Sequence, residues 1–150
     1  MFDPAKTYPL PGFHFEADMG FARMGFTRIS GLEVATSVIE YREGNSVRYN
    51  TLKQPGRTVY GNIILQRGVF AWDFDFYFWW QNTYFFQERS ATFRRDITIK
   101  LLDEAHNPII TWAVHNAWPC RVVWGELDAR ENKVLIEEME ITHEGLQILT

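Results

Sequence analysis

The sequence contains one cysteine, Cys120, among its 150 residues, and this scarcity excludes an intrachain disulfide framework. Such cysteine usage is typical of proteins that fold in a reducing compartment. A basic surplus is also missing, since the net charge is −4. General nucleic-acid binders need that surplus to displace counterions from phosphates. Neither disulfide stapling nor general nucleic-acid binding is therefore expected.

Long apolar runs are absent as well. The most apolar stretch, Val69–Phe86, is interrupted by four polar residues whose burial in lipid would be costly: Asp73, Asp75, Gln81 and Asn82. The first twelve residues contain three prolines and no apolar core of a signal peptide. The sequence therefore predicts synthesis in the cytoplasm and no stable membrane insertion.

Motifs of catalysis and metal binding are missing too. The four histidines have neither the helical i,i+4 spacing nor the short paired spacing of a preset zinc site. No nucleophile elbow, P-loop or dinucleotide-binding glycine motif occurs. Solvated faces or ion pairs explain the carboxylate clusters better than acid–base catalysis does, and Cys120 is interpreted as a small buried hydrophobe. We therefore expect a protein that is not an enzyme and that uses no cofactor or metal.

What the sequence does contain is alternation of apolar and polar residues. A hydrophobic fraction of 46% favours one globular domain, predicted to span residues 13–150 after an extended proline-rich arm at 1–12. The alternation predicts antiparallel strands, including a hairpin whose turn is Asp103–Pro108. The expected fold class is mainly β, a small antiparallel β-barrel or sandwich with one flanking α-helix.

Three segments have unusual patterns. Residues 42–57 are polar, contain Pro55–Gly56 and are interpreted as a long functional loop. Residues 71–88 are the helix candidate, with apolar side chains all around the axis, which predicts burial on several sides or cover by a neighbouring chain. In the predicted strand Lys133–His143 the apolar parity switches between Ile136 and Met139. This switch predicts a bulge or a passage from one sheet to another.

A series of short segments carries a resemblance. In chain order they are Phe26–Glu33, Val38–Gly44, Leu52…Pro55–Gly56…Tyr60–Ile63, Leu101–Pro108, Trp112, Asn116–Pro119, Leu127–Ala129 and Glu144–Gly145. Over residues 13–146 the chain resembles the tail tube protein family of contractile phage tails and phage-tail-like injection systems.

The resemblance implies a defined assembly. Six copies would form a ring, and rings would stack into a hollow tube that sheath contraction drives through a target envelope. The implied partners are further copies of the chain, a contractile sheath protein, baseplate or tube-initiator proteins, and DNA or protein toxin as lumen cargo. The implied location is a phage tail or an injection-system particle, which can be released extracellularly.

Charge is distributed unevenly in a way that suits such self-assembly. Tyr41–Arg67 carries five basic residues and one acid, whereas Gly125–Gly145 carries seven acids and two basic residues. Opposite surpluses on one chain favour head-to-tail contacts between copies. We predict inter-subunit contacts by Arg42, Glu43, Arg48, Lys53, Pro55, Gly56, Arg57, Glu137 and Glu140. An alternative is that part of the acidic set faces the lumen.

Two other function classes stay open from the residues alone. A monomeric or dimeric β-barrel could bind a small apolar ligand, with the aromatic residues of 70–86 lining its pocket. Eleven of the 24 aromatic residues lie in that segment. The third class is a catalytic domain with an unrecognised site. Rings or tubes of purified protein would favour the first class, and a monomer the second.

Overall fold

The computed structural model describes residues 10–12, 14–20, 23–45, 47, 50–85 and 93–149 of the chain. These ranges contain ten strands and one helix. In chain order they are β1 (Phe15–Asp18), β2 (Arg23–Met24), β3 (Arg28–Ser30), β4 (Val34–Tyr41), β5 (Leu52–Tyr60), β6 (Ile63–Gly68), α1 (Asp75–Phe85), β7 (Arg95–Leu102), β8 (Pro108–Val123), β9 (Ile136–Thr142) and β10 (Gly145–Leu149). The predicted fold class, mainly β with one helix, is confirmed. Residues 1–9 of the expected arm lie outside the described residues.

Eight strands form one antiparallel sheet in the order β2-β1-β7-β8-β9-β6-β3, with β10 also paired to β8. The two halves of this sheet meet at β8. Residues 111–114 of β8 pair with both β7 and β10, whereas its later residues pair with β9. Buried side chains from both halves, such as Ile99 of β7 and Leu65 of β6, belong to one core cluster. The sheet therefore folds over at β8 and encloses the core between its halves.

A bend at Asn116 turns β8 from one half-sheet to the other. Asn116 has a φ of 52°, a conformation that asparagine tolerates better than most residues. Its backbone N–H donates to Asp96 at 3.1 Å, and its side-chain amide donates to Glu144 at 2.8 Å. Glu144 lies in the break between β9 and β10, directly beside the bend. The strand that changes sheets is thus β8, whereas the sequence predicted either this role or a bulge for the strand at 133–143.

The predicted parity switch in that last strand is wrong. In β9 the residues Glu137, Met139 and Ile141 are all buried, so one parity faces the core throughout. The apolar pattern looked broken because a charged residue occupies a core position. Glu137 is tolerated there because Arg67 lies directly opposite it on β6 and pairs with it.

The predicted long loop at 42–57 is also wrong over its second half. β5 begins at Leu52, so Pro55–Gly56 lies inside a strand that pairs with β4 in a separate two-stranded sheet. The connection between these strands is residues 42–51. The register shifts at this place because two residues of β5, Gly56 and Arg57, oppose Ser37 of β4. Such a bulge accommodates proline and glycine that would weaken a regular strand.

The β7–β8 hairpin is confirmed. Asp103 accepts hydrogen bonds from the backbone N–H groups of Ala105 and Asn107, at 2.9 and 2.8 Å. These bonds form a side-chain-stabilised turn of the kind that aspartate favours. His106 adopts a φ of 62° within this turn.

The helix α1 packs against β8 and is shorter than the predicted 71–88, with residues 86–88 outside the described residues. Phe76 and Trp79 are its buried residues. The indole N–H of Trp79 donates to the carbonyl of Phe93 at 2.7 Å, which satisfies a buried polar group. Asp75 lies in the first turn, where a carboxylate interacts favourably with the helix dipole.

Candidate functional site

The β4–β5 hairpin, residues 34–60, is the most exposed element of the described chain. All eight residues of β4 are exposed, and so are all residues of β5 except Gly56 and Tyr60. The hairpin forms its own two-stranded sheet, apart from the eight-stranded one. A lone two-stranded hairpin is at best marginally stable in water. This element therefore needs a partner that the described residues of the chain do not supply.

Both faces of the hairpin carry apolar side chains among polar ones. The even residues Val34 and Val38 of β4 lie on one face, at 58% and 61% exposure. Ile39 lies on the other face. Leu52 and Val59 lie there too, because the register places them opposite odd residues of β4. Surface hydrophobic residues are ordinary when single, but a cluster of them marks an interaction site. The hairpin therefore presents exposed apolar residues on each side.

The bulge in β5 gathers three of the predicted contact residues. The backbone N–H of Arg57 donates to the Ser37 hydroxyl at 2.9 Å. A Cβ on Gly56 would lie 2.5 Å from that hydroxyl oxygen, so a larger residue would push the Ser37 side chain away from Arg57. Pro55 lies opposite Val38. The pair that marked a loop in the sequence therefore shapes the middle of an exposed hairpin.

The remaining basic candidates lie along the same element. Lys53 is exposed and opposite Glu40 in the register. Arg42 and Glu43 are exposed just beyond β4, and Glu43 accepts a 3.5 Å hydrogen bond from the hydroxyl of Tyr41. Arg48 lies outside the described residues. The structure thus brings the described basic candidates together on one exposed hairpin.

The acidic candidates are placed differently. Glu137 is 3% exposed, so it is not available for contact with another subunit at the surface of this chain. Glu140 is half-buried beside Cys120, whose Sγ lies 3.7 Å from its carboxylate. Partial burial and the Glu140 carboxylate raise the pKa of the Cys120 thiol. Cys120 itself is exposed, which corrects its interpretation as a buried hydrophobe.

Sequence reasoning missed a buried charge cluster around Arg67. Its Nε contacts the Glu137 carboxylate at 2.5 Å, and its terminal nitrogens reach both Asp73 oxygens at 3.1 Å. The guanidinium also stacks on the Phe76 ring, 4.1 Å from its centroid. The cluster joins β6, β9 and the start of α1. One feature of the sequence could have indicated this cluster. Arg67 lies four residues after Ile63 in the same strand, so its side chain points to the same face of the sheet as that core residue.

An aromatic surface covers the outer side of α1. We define it as seven rings in a continuous chain of contacts, with centroids 5.4–6.2 Å apart: Phe74, Tyr77, Phe78, Trp80, Tyr84, Phe85 and Trp124. Trp80 is half-buried, and the other six are 36–64% exposed. The helix is therefore buried on one side within the described chain, not on several, and presents aromatic rings on the other. Cover of that outer side by a neighbouring chain stays a prediction.

Cavities in the described chain are open hollows rather than enclosed pockets. One of about 590 Å³ lies in the segment 125–136. Another of about 320 Å³ lies between α1 and β8, lined by Trp80, Thr83, Tyr84, Phe93, Arg94, Trp118, Pro119 and Cys120. Within the described ranges, no group of three His, Cys, Asp or Glu residues could hold a metal ion. No helix in those ranges is long and apolar enough to cross a membrane.

The sequence profile of the T4-like virus tail tube protein gp19 family matches residues 11–147. This match covers nearly the whole chain. The chain belongs to the T4-like virus tail tube protein family. The resemblance found in the sequence is thereby confirmed. No curated protein has a matching sequence.

Solved structures of injection-system components have the same fold as this tail tube family member. A chain of the extracellular contractile injection system PVC, in its extended sheath–tube complex, is 27% identical with a TM-score of 0.80, over 99% of both chains. A chain of the anti-feeding prophage cap, its tube terminating cap, is 29% identical with a TM-score of 0.82, over 99% of this chain and 96% of that one.

More distant structures share the fold alone. Hcp1 of Flavobacterium johnsoniae is 12% identical with a TM-score of 0.52, over 89% of this chain and 93% of that one. The proteins of the matching tail tube family, and those in the similar injection-system structures, are structural tube proteins and not enzymes. The protein is therefore a tail tube protein of the contractile injection type.

Proposed function

We propose that this protein is the inner-tube subunit of a contractile phage tail or injection system. Six copies form a ring, and rings stack into a hollow tube inside a contractile sheath. The membership in the tail tube family supports this proposal, and so do the similar structures from a sheath–tube complex and a tube terminating cap. Contraction of the sheath drives the tube into a target envelope, and DNA or protein cargo passes through or occupies the lumen. The subunit has no catalytic role.

The observation that carries the proposal is the β4–β5 hairpin. It is exposed on both faces, and each face carries apolar side chains. A contact between this hairpin and a different surface of the next copy is heterologous, and heterologous contacts close into rings or continue as stacks. Apolar composition of this kind is typical of obligate interfaces.

The direct test is the assembly state of the purified protein. Size-exclusion chromatography with light scattering measures mass, and negative-stain microscopy shows shape. Rings or hollow tubes are the expected result. A monomer near the chain mass of 17.7 kDa at all protein concentrations would contradict the proposal and favour a ligand-binding barrel.

A hairpin truncation tests which element makes the tube. Residues 37–57 are replaced by Asn-Gly, which closes the Thr36–Thr58 pair with a two-residue turn. We expect the subunit to fold, because the removed residues belong to a separate sheet and shortening a loop changes closure entropy only modestly. Assembly should be lost. Circular dichroism and urea unfolding check the fold, and normal tubes from this variant would contradict the role of the hairpin.

A further inference from the structure

The aromatic surface of α1 is large enough to be one side of a protein interface. With about 200 Å² per aromatic side chain, its seven partly exposed rings present about 600–700 Å² to solvent. That is at or above the largest apolar patch of a typical monomer, about 300–600 Å². It approaches the ~800 Å² that each partner contributes to a standard interface. An uncovered surface of this size requires an occupant.

A pocket for an anchoring side chain lies at one end of this surface. The 320 Å³ hollow shares Trp80 and Tyr84 with it and extends to Trp118 and Cys120. Binding energy concentrates where one side chain fills a well-packed pocket surrounded by weaker contacts. The hollow therefore suits the insertion of an aliphatic side chain from a partner.

Charge around the aromatic surface is mixed. The helix contains no Lys or Arg between Asp75 and Phe85, and Asp75 lies at its start. At the hollow, Glu140 contacts Cys120, and Arg94 is part of the lining. A partner with exposed aliphatic residues beside charged ones suits such a surface.

The β4–β5 hairpin has these properties. It exposes aliphatic side chains on both faces, and Lys53 and Arg57 are exposed beside them. Among the described residues of one chain, the hairpin and the aromatic surface are both exposed, so they do not cover each other. We propose that the aromatic surface of α1 is the docking site for the β4–β5 hairpin of a second copy of this chain, an inference that rests on the proposed self-assembly. Each copy carries both halves of the contact, so docking repeats from subunit to subunit.

The single cysteine is a built-in probe of this docking. Cys120 lines the hollow and is exposed in the isolated chain. Alkylation by N-ethylmaleimide at pH 8.5 offsets the raised pKa of the thiol, since the thiolate is the reacting form. We expect Cys120 in assembled protein to react about tenfold more slowly than in the hairpin-truncated variant. Equal rates in the two samples would overturn the docking proposal.

A pair of substitutions tests the aromatic surface itself. Tyr77→Ser with Phe78→Ser removes two rings from its centre, and Trp72→Ser is the control, because Trp72 is 89% exposed and outside the chain of ring contacts. We expect the double variant to require at least about tenfold higher protein concentration for assembly, and the control to stay within about twofold. Circular dichroism confirms that both variants fold.

The outcomes separate the two proposals. If the wild-type chain assembles but the double variant assembles at the same concentration, only the docking proposal fails. If the wild-type chain stays monomeric at every concentration, both proposals fail. Assembly through the sheet edges alone would leave Cys120 reactive in the tube, and that result also contradicts docking on α1.

Discussion

At the scale of single residues, Arg67 decides how β6, β9 and the start of α1 meet. Its guanidinium is 4% exposed and pairs with Glu137 and Asp73 while it stacks on Phe76. A buried ion pair contributes little compared with well-packed apolar residues, but the loss of one partner leaves an uncompensated buried charge. The pair therefore fixes the geometry of the cluster more than it adds stability.

A double-mutant cycle measures this effect. Arg67→Met leaves Glu137 buried without its partner, and we expect the free energy of unfolding to fall by about 3–5 kcal/mol. Arg67→Met combined with Glu137→Leu should recover most of that loss. Urea denaturation of the unassembled, hairpin-truncated chain measures both, so that assembly does not contribute.

The control for this cycle is Arg130→Met. Arg130 pairs with Asp128, but its side chain is 90% exposed. An exposed pair contributes about 0–1 kcal/mol, so the control should change stability little. If Arg67→Met costs no more than Arg130→Met, the Arg67 cluster is not buried as described.

At the scale of elements, β8 determines the shape of the subunit. It pairs with β7 and β10 along its first part and with β9 along its last part. The bend between these parts depends on the left-handed backbone of Asn116 and on its contacts with Asp96 and Glu144. A straight β8 could not contribute to both half-sheets around one core.

Substitutions at the bend test this role. Asn116→Val places a β-branched residue at a positive φ and removes the side-chain hydrogen bond, so we expect a loss of about 2–3 kcal/mol in the free energy of unfolding. Asn116→Gly loses the same hydrogen bond but adopts this backbone without strain, so it should cost about 1 kcal/mol. Urea unfolding compares the two variants. Equal losses would show that backbone strain at the bend is unimportant.

At the scale of the whole molecule, exposed basic and acidic residues lie on different parts of the chain. The exposed hairpin carries Arg42, Lys53 and Arg57, whereas exposed acids lie in the C-terminal part, among them Glu126, Glu131 and Glu144. We retain the prediction that these opposite surfaces guide the approach of copies, with Glu137 removed because it is buried. The alternative, that part of the acidic set faces the lumen, also stays a prediction.

Charge reversal on the hairpin tests this guidance. Lys53→Glu with Arg57→Glu should weaken assembly at about 20 mM salt and have a smaller effect at about 0.5 M, because salt screens exposed charges. Light scattering measures the assembly at each salt concentration. The neutral pair Lys53→Gln with Arg57→Gln is the control and should have an intermediate effect.

Compensating changes identify the acidic partner. If Glu140→Lys restores assembly of the reversed variant, the partner lies at the hollow beside α1. If Glu131→Lys restores it, the partner lies in the exposed segment after β8. Unchanged assembly of the reversed variant at low salt would show that these basic residues have no part in docking.

The sequence by itself determined the features that depend on local patterns. Alternation predicts the mainly β class, and the aspartate of the Asp103 turn predicts the β7–β8 hairpin, because both signals act over a few neighbouring residues. The ordered segments identified the tail tube family, which the profile match over residues 11–147 confirms. The apolar residues of 71–88 also predicted a helix, which α1 confirms over Asp75–Phe85. Cover of its outer side by a neighbouring chain stays a prediction.

Only the tertiary structure decided the features that depend on pairing between distant residues. Pro55 and Gly56 favour a loop locally, but the ladder to β4 holds them in a strand because a bulge opposite Ser37 absorbs the irregularity. From the sequence, Glu137 is expected at the surface. It is buried because the sheet places Arg67, 70 positions away in the chain, directly opposite it. A charge can occupy a core position only when the fold supplies its counter-charge, and sequence spacing does not show which residue that is.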